Sequence, residues 1–312
     1  IGGGCCNIGG GGTSVIGGGF CNCTINSGNC ATIGGGSFNI AFGCYSTVIG
    51  GFSGSATGVG SIVGGLSSRA SGRAAVAFGE FSIASGDQSF VGGGFCNKAC
   101  SFRTTVAGGA FNNATFCFST IGGGNNNNST ANGSTIAGGT NNTASTNFAT
   151  VGGGNNNSVT GGGATVGGGE SIIASGSYST IGGGCCNCAT VSFSTIIGGF
   201  SGTATGLGSI VGGLSSRATG RAAIAFGEGN LAIGANSTII GGLNSCVCST
   251  ACNTSVVGSC IRAVSAYTTY ANNMELVGCN NVSSYMILSD CTGVRWKLCV
   301  AHSSGNVMTS LA

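Results

Sequence analysis

The stretch Ser179-Thr180-Ile181-Gly182-Gly183-Gly184 decides the fold, because variants of it recur along most of the chain. A β-branched or aromatic residue stands just before a glycine-rich turn 18 times. The series is Ile1, Val15, Ile33, Val48, Ile62, Val76, Phe90, Val106, Ile121, Ile136, Val151, Val166, Ile181, Ile196, Ile210, Ile224, Ile239 and Val256. Of its 17 spacings, six are 14 and eight are 15 residues. This period predicts one solenoid coil, with two short strands and two turns.

The composition is compatible with such a coil. Glycine supplies 66 of the 312 residues, which on its own favours disorder. The apolar fraction of 41% and the charged fraction of 5% oppose disorder, and the absence of a three-residue period excludes collagen. Because the chain has no proline, every residue keeps a backbone N–H for a hydrogen-bonded ladder. We therefore predict an all-β fold, a parallel β-solenoid (β-roll).

The charges and the hydropathy exclude several classes of partner. The net charge is +3, and Lys98 and Lys297 are the only lysines, so no basic patch could follow a nucleic-acid backbone. No run of 18 apolar residues occurs, which argues against membrane insertion.

Strand alternation predicts which side chains face the core. If Ile121 points inward, Thr120 points outward and Ser119 points inward again. The predicted core ladder contains the equivalent residues Ile121, Ile136, Val151, Val166 and Ile181. This core is thin, so stacked coils must share their burial to offset the entropy of ordering the chain.

The position after the inward residue is predicted to face outward, and in several coils it is large and apolar. The candidate oligomer face consists of Ile49, Val63, Ile197, Val211 and Ile240, together with Ile16 and Val257. Other coils have glycine or alanine there, where backbones could approach closely. An apolar stripe along a rod favours burial around a parallel symmetry axis, which predicts a cyclic homo-oligomer.

A longer duplication is superimposed on the coils. Residues 48–80 and 196–228 align with 28 of 33 positions identical. The two copies carry Arg69, Arg73 and Glu80, and Arg217, Arg221 and Glu228. We interpret each set as an ion-pair cluster between coils or chains, with a ligand-binding patch as the alternative.

The pattern changes near the C-terminus. The predicted domains are the repeats at 1–258, a degenerate last coil or neck at 259–278, and a three-stranded meander at 279–312. Arg295, Trp296 and Lys297 lie in this meander, which we expect to act as a tip or cap.

The repeats resemble a known family. Runs such as Ser179–Gly184 and Gly58–Gly65 are similar to the head repeats of YadA-like trimeric autotransporter adhesins, and related repeats occur in phage tail fibres and in fibres of large DNA viruses. The resemblance covers roughly residues 1–258. It implies a left-handed β-roll, a homotrimer, and a location outside the cell or on a virion. Cysteine is more common here than in those heads, which favours a viral fibre or an unusual surface filament.

The 19 cysteines leave three interpretations open. They could be small buried hydrophobic residues or stacked rungs, or they could form disulfides between neighbouring coils or chains. A metal site is the least favoured, because strands that alternate sides offer no tetrahedral pocket.

No constellation of titratable residues suggests catalysis or a cofactor, and we expect neither. The favoured hypothesis is a structural fibre or adhesin head that holds a receptor-binding end away from a surface. The alternative is an ice-binding solenoid. Its threonine ladder would contain Thr32, Thr47, Thr105, Thr120, Thr135, Thr150, Thr165, Thr180, Thr195 and Thr238. The expected interruptions are Ser14, Ser61, Ala75, Ser89, Ser209 and Ala223.

Overall fold

The computed structural model describes residues 1–10, 12–25 and 29–271, together with three strands nearer the C-terminus. Throughout the described residues the regular structure is β-strand, and no helix occurs among them. The chain divides into two compact units, Ile1–Tyr270 and Ala271–Ala312.

The first unit contains two parallel sheets, named sheet A and sheet B, each with 18 strands among the described residues. Sheet A contains Val15–Ile16, Thr32–Ile33, Thr47–Phe52, Ile62–Leu66, Val76–Glu80, Phe90–Val91, Thr105–Val106, Thr120–Ile121, Thr135–Ile136, Thr150–Val151, Thr165–Val166, Thr180–Ile181, Thr195–Phe200, Ile210–Leu214, Ile224–Glu228, Thr238–Ile240, Ser255–Val257 and Thr269–Ala271. Sheet B contains Ile8–Gly9, Cys23–Thr24, Ile40–Ala41, Ser55–Ala56, Arg69–Ala70, Ile83–Ala84, Lys98–Ala99, Asn113–Ala114, Asn128–Ser129, Thr143–Ala144, Ser158–Val159, Ile173–Ala174, Cys188–Ala189, Thr203–Ala204, Arg217–Ala218, Leu231–Ala232, Cys246–Val247 and Arg262–Ala263.

The strands of the two sheets alternate along the chain, so each coil contributes one strand to each sheet. Thr120 pairs in parallel with Thr135 of the next coil in sheet A, and Asn128 pairs with Thr143 in sheet B. The predicted parallel β-solenoid is therefore confirmed. The paired strand Arg262–Ala263 extends the regular ladder past residue 258.

Each coil closes through two turns that need left-handed backbone. Asn126 in the first turn and Phe118 in the second have φ of 54° and 60°, and equivalent residues recur in successive coils. Gly124 has φ of 88°, and a Cβ added there would collide with the carbonyl oxygen of Gly139 in the next coil. In the triplet Gly122-Gly123-Gly124, the third residue must therefore be glycine, because its backbone is left-handed and a side chain would collide with the next coil.

The core is built of columns that run through the stacked coils. The predicted ladder of Ile121, Ile136, Val151, Val166 and Ile181 is fully buried. From Ala31 to Thr254 the small residue two positions earlier in each coil (serine, alanine or threonine) is also buried, as are the alanines of sheet B. Narrow side chains fill the space because the two sheets of a two-strand coil lie close together.

The predicted inward series has the wrong phase in part of the chain. Six of its members face outward: Val15, Ile62, Val76, Phe90, Ile210 and Ile224, and Ile1 is exposed as well. In those coils the following residue is buried instead: Ile16, Val63, Ala77, Val91, Val211 and Ala225. In these coils two apolar residues are adjacent, as in Ile62-Val63, so the sequence alone did not show which of the two faces the core. A fixed count separates the two, since from Ile33 to Val256 the buried residue lies three positions after the left-handed residue of the second turn.

Four coils within the two copies of the duplication have a first turn that is one residue shorter than usual. In the usual coil the left-handed residue of the first turn follows the buried residue by five positions, as Asn126 follows Ile121. In the short coils it follows by four, as Ser67 follows Val63. Their sheet A strands extend to five residues, as in Ile62–Leu66 and Ile210–Leu214. The coil after Val256 has the same short turn, but its sheet A strand Ser255–Val257 is only three residues long.

A column of buried asparagines connects the coils at the first turn. The Nδ2 of Asn127 donates to the carbonyl oxygens of Gly123 at 3.0 Å and Gly139 at 2.9 Å. Its Oδ1 accepts from the backbone N–H of Asn142 at 3.0 Å. The same pattern joins Asn7, Asn22 and Asn39, and joins Asn97, Asn112, Asn127, Asn142 and Asn157. This column, the asparagine ladder, links each triplet of glycines to the next coil.

The second unit contains a three-stranded antiparallel sheet of Tyr285–Ser289, Arg295–Val300 and Val307–Leu311. Its register pairs Trp296 with Leu288 and Leu311. Arg295, Trp296 and Lys297 thus begin the central strand, and their role as a tip stays a prediction. Most of the predicted neck at 259–278 precedes Asn272, and its last residues, 272–278, lie outside the described residues.

Asn127→Asp should destabilise the solenoid, because a buried carboxylate would face two carbonyl oxygens. We expect a loss of about 3 kcal/mol in the free energy of unfolding at neutral pH. Burial raises the pKa of the new carboxyl in the folded state, so the penalty should shrink as the pH falls toward the ordinary aspartate pKa of about 3.9. Thermal unfolding followed by circular dichroism at several pH values measures this.

Asn125→Asp is the matched control, because Asn125 lies in the same turn as Asn127 but is exposed. Its effect should stay within about 0.5 kcal/mol. Equal losses for both variants at neutral pH would contradict a structural role for the ladder.

Candidate interaction surfaces

The middle of the outer face of sheet A is flat and uniform. Seven consecutive coils place a threonine there: Thr105, Thr120, Thr135, Thr150, Thr165, Thr180 and Thr195. In the first six of these coils the second outward column consists of the small exposed residues Ala107, Gly122, Ala137, Gly152, Gly167 and Gly182, and in the seventh it is Ile197. A row of hydroxyl and methyl groups therefore borders a shallow trench.

The interruptions of this threonine row differ from those expected. Ser61, Ala75, Ser89, Ser209 and Ala223 are buried in the core, because the phase of their coils is shifted by one residue. The outward positions there are filled by Ile62, Val76, Phe90, Ile210 and Ile224. The breaks in the row are therefore apolar rather than small.

The large apolar residues predicted for the oligomer face divide into two groups. Ile49, Ile197 and Ile240 protrude from sheet A, with exposed fractions of 59%, 62% and 56%. The prediction that Val63 and Val211 belong to this face is wrong, because both side chains are fully buried in the core ladder. The same one-residue shift of phase explains both errors, and it also places Ile16 inside.

A glycine-floored groove lies beside each of two protruding isoleucines. Ile49, Gly64 and Phe78 are consecutive along one outward column, and the Phe78 ring lies over Gly64. A Cβ on Gly64 would stand 3.0 Å from Cδ1 of Phe78, so only glycine leaves room for the ring. We call this arrangement a knob-and-groove.

The second copy of the duplication repeats the arrangement. Ile197, Gly212 and Phe226 take the same places, and a Cβ on Gly212 would stand 2.8 Å from Cδ1 of Phe226. Sequence reasoning missed the two phenylalanines, although their recurrence at an offset of 148 residues was available as a signal.

The predicted ion-pair clusters do not form between coils of one chain, and their formation between chains stays a prediction. Arg73 pairs instead with Asp87, whose Oδ2 lies 3.7 Å from Nε and whose Oδ1 accepts from the Arg73 backbone N–H at 2.9 Å. No other ion pair joins described residues, so Arg69 and Glu80, and likewise Arg217, Arg221 and Glu228, are not brought together within the chain. The second copy has Ala235 where the first has Asp87. Arg69 lies on sheet B, whereas Glu80 ends a strand of sheet A, so the two side chains do not meet.

A second groove, of about 620 Å³, lies at the corner between the first turn and sheet B. Its walls include the exposed rings of Phe81 and Phe111, and the Lys98 side chain lines it. The Oδ1 of Asn113 is buried there without a hydrogen-bond partner. The surface of the groove thus combines apolar rings and a cation.

Aromatic rows strengthen this edge of the rod. Phe95 makes edge-to-face contacts with Phe81 and Phe111, with ring centroids 5.9 Å and 5.2 Å apart. Phe38 joins Phe20 and Phe52 in the same way. Because these rings stay largely exposed, the first-turn edge presents an apolar strip.

The cysteines follow neither a disulfide nor a metal pattern in the part of the chain that the structure describes. Sixteen of them form no disulfide, and no two lie at bonding distance. No group of three or more histidine, cysteine or acidic side chains converges there as a metal site would require. All sixteen are partly or fully exposed, so the interpretation as buried hydrophobic residues is wrong. Stacked rungs and disulfides between chains stay predictions.

Comparison with known proteins gives no relative for this chain. No family model matches it, and no curated protein matches it either. Among the described residues, no helix is long and apolar enough to cross a membrane.

Asp87→Asn should change stability by less than about 1 kcal/mol, because the Arg73 and Asp87 side chains are 64% and 49% exposed. The amide oxygen still accepts from the Arg73 N–H, and only the charge is lost. Thermal unfolding at low and high salt should show that the small difference between wild type and variant disappears at high salt. Glu80→Gln is the control, and a large salt-independent loss for Asp87→Asn alone would contradict a surface ion pair.

Proposed function

We propose that this chain is the shaft or head of an extracellular or virion-surface fibre, without catalytic activity, which assembles as a homotrimer through the outer face of sheet A. The observation that carries the proposal is the knob-and-groove repeated at Ile49 and at Ile197 on one face. Two identical apolar contacts at a fixed separation favour a partner with the same two contacts at the same separation. A second copy of this chain meets that condition.

Burial of these contacts is favourable. A fully buried isoleucine side chain contributes roughly 1.5–3 kcal/mol relative to an exposed one. The two copies of the knob-and-groove are ten coils apart, which at about 4.8 Å per coil is a separation of roughly 48 Å. Parallel chains in register would bring both pairs together at once, and cyclic symmetry would satisfy every chain equally. The number three rests on the resemblance to trimeric adhesin heads.

The rest of the surface suits an attachment fibre. Sheet A strands stacked over 18 coils give a rod on the order of 85 Å, long enough to hold a binding end away from a surface. The groove lined by Phe81, Lys98 and Phe111 lies on the sheet B side and would remain open after assembly through sheet A. It is the surface we propose for a receptor.

Ice binding is the second candidate, and the row of seven threonines favours it. Regular hydroxyl and methyl groups beside a glycine and alanine trench make a flat face of the required kind. The exposed Phe90 before Thr105 and the protruding Ile197 beside Thr195 interrupt flatness at the two ends of that row. The two functions are incompatible, because a face buried between chains cannot contact ice.

Light scattering at micromolar concentration, with and without reductant, should give the mass of three chains. The double variant Ile49→Asp with Ile197→Asp should lose the trimer, because charge would be buried between chains. Ile40→Asp with Ile173→Asp is the matched control, since both isoleucines are exposed on sheet B. That control should remain trimeric.

A wild-type chain that is a stable, soluble monomer in both conditions would refute the trimer. Thermal hysteresis would then be measured on wild type and on Thr150→Tyr, which disturbs the centre of the threonine row. Hysteresis that the substitution abolishes would establish ice binding in place of a fibre.

A further inference from the structure

One heptapeptide occurs twice in the chain and ends in adjacent thiols. Ile-Gly-Gly-Gly-Cys-Cys-Asn spans residues 1–7 and 181–187. The Sγ atoms of Cys5 and Cys6 are 3.2 Å apart, and those of Cys185 and Cys186 are 3.0 Å apart. Both pairs lie in first turns, at the solvent-facing edge of the rod. The same chemistry therefore appears twice in the same local structure.

The backbone holds each pair from both sides. Cys186 is in the left-handed conformation with φ of 59°, and Cys185 donates its N–H to the carbonyl oxygen of Gly199 at 3.0 Å. The next residue, Asn187, belongs to the asparagine ladder, and its Nδ2 donates to Gly183 and Gly199. A turn fixed in this way keeps the two thiols in contact rather than letting them diverge.

We propose that Cys185–Cys186 and Cys5–Cys6 are dithiol sites for low-molecular-weight disulfides, each oxidised by the disulfide to a vicinal disulfide within its own turn. The thiolate of Cys186 attacks one sulfur of the small disulfide, forms a mixed disulfide and releases one small thiolate. Cys185 then loses its proton and attacks the Sγ of Cys186, which releases the second small thiolate. Two protein thiols are oxidised, one small disulfide is reduced, and both protons are transferred to the released thiols.

The order of attack follows from the contact between the thiols. A hydrogen bond with the Cys186 thiol raises the pKa of Cys185 to about 11, so Cys185 keeps its proton while Cys186 reacts. Once Cys186 carries the mixed disulfide, it no longer offers a thiol or thiolate to the hydrogen bond that held the proton on Cys185. Cys185 is then the resolving group, with its sulfur already beside the bond to be broken.

The oxidised turn should be readily reduced again. Adjacent Cα atoms are about 3.8 Å apart, which is shorter than the 4.4–6.8 Å or so of ordinary disulfides. Such strain makes a disulfide easier to reduce. The site is therefore a reversible one, unlike a structural crosslink.

The chain provides its own single-thiol comparison. Cys96 occupies the same left-handed turn position as Cys186, with φ of 53°, but the residue before it is Phe95. Its ladder asparagine, Asn97, makes the same pair of hydrogen bonds to glycine carbonyls. A mixed disulfide at Cys96 has no adjacent thiol to resolve it and should persist.

The test uses the full reduced chain and oxidised glutathione. After acid quenching and alkylation, the chymotryptic peptide 179–193 is fragmented by mass spectrometry. We expect the loss of two hydrogens localised to Cys185–Cys186, with glutathione occupancy there at least about tenfold below that at Cys96. Cys186→Ser should convert the product to a persistent glutathione adduct on Cys185.

Three results would overturn the proposal. The first is that glutathione accumulates at Cys185 or Cys186 of the wild type as it does at Cys96. The second is a crosslink from either residue to Cys188. The third is a disulfide between chains that Cys186→Ser abolishes. The measurement does not depend on how many chains associate, so it stands apart from the test of the fibre.

Discussion

The asparagine ladder is the constraint on which the rest of this solenoid depends. Coils with so thin a core gain little from apolar burial, and each carries a turn full of glycine carbonyls that must find donors. The amide of Asn127 supplies two donors to Gly123 and Gly139 and one acceptor to the next asparagine. Because every amide serves its own coil and the following one, the coils become cooperative rather than independent. The ladder is interrupted where smaller residues occur, as at Gly54 and Ser68.

The glycine triplet is the counterpart of this ladder. Its carbonyl groups can approach the asparagines only because no Cβ intervenes, as the collision predicted at Gly124 shows. Glycine loses more entropy on folding than other residues, and left-handed residues such as Asn126 add strain. These costs recur along the chain, and in the coils that carry a ladder asparagine they are offset by its hydrogen-bonded buried amide. Composition alone, which suggests disorder, gives no indication of this balance.

The sequence predicts the solenoid and the middle of its core because the period is long, regular and free of proline. Ile121 and its equivalents could be assigned to the interior since threonine before them and glycine after them left one phase possible. Ile62 and Val63 could not be separated by hydropathy, and the length of the preceding turn decided between them. The asparagine ladder was visible as a recurring Asn six positions after the core isoleucine, yet polar runs are usually taken as solvated. Asp87 could not be predicted as the partner of Arg73, because the duplication does not repeat it.

The short coils contain the glycine and phenylalanine of the knob-and-groove, on which the proposed assembly depends. In these coils the sheet A strand is longer, as in Ile62–Leu66. Gly64 takes the outward place that Gly122 takes in an ordinary coil, and because it has no side chain the Phe78 ring can lie over it next to Ile49, which forms the groove. The duplication of residues 48–80 therefore copied the knob-and-groove, which is the proposed contact surface, together with its scaffold. Two such surfaces are useful for aligning chains only if the distance between them is fixed. The intervening coils, joined by ladder residues from Asn97 to Asn157, supply that rigidity.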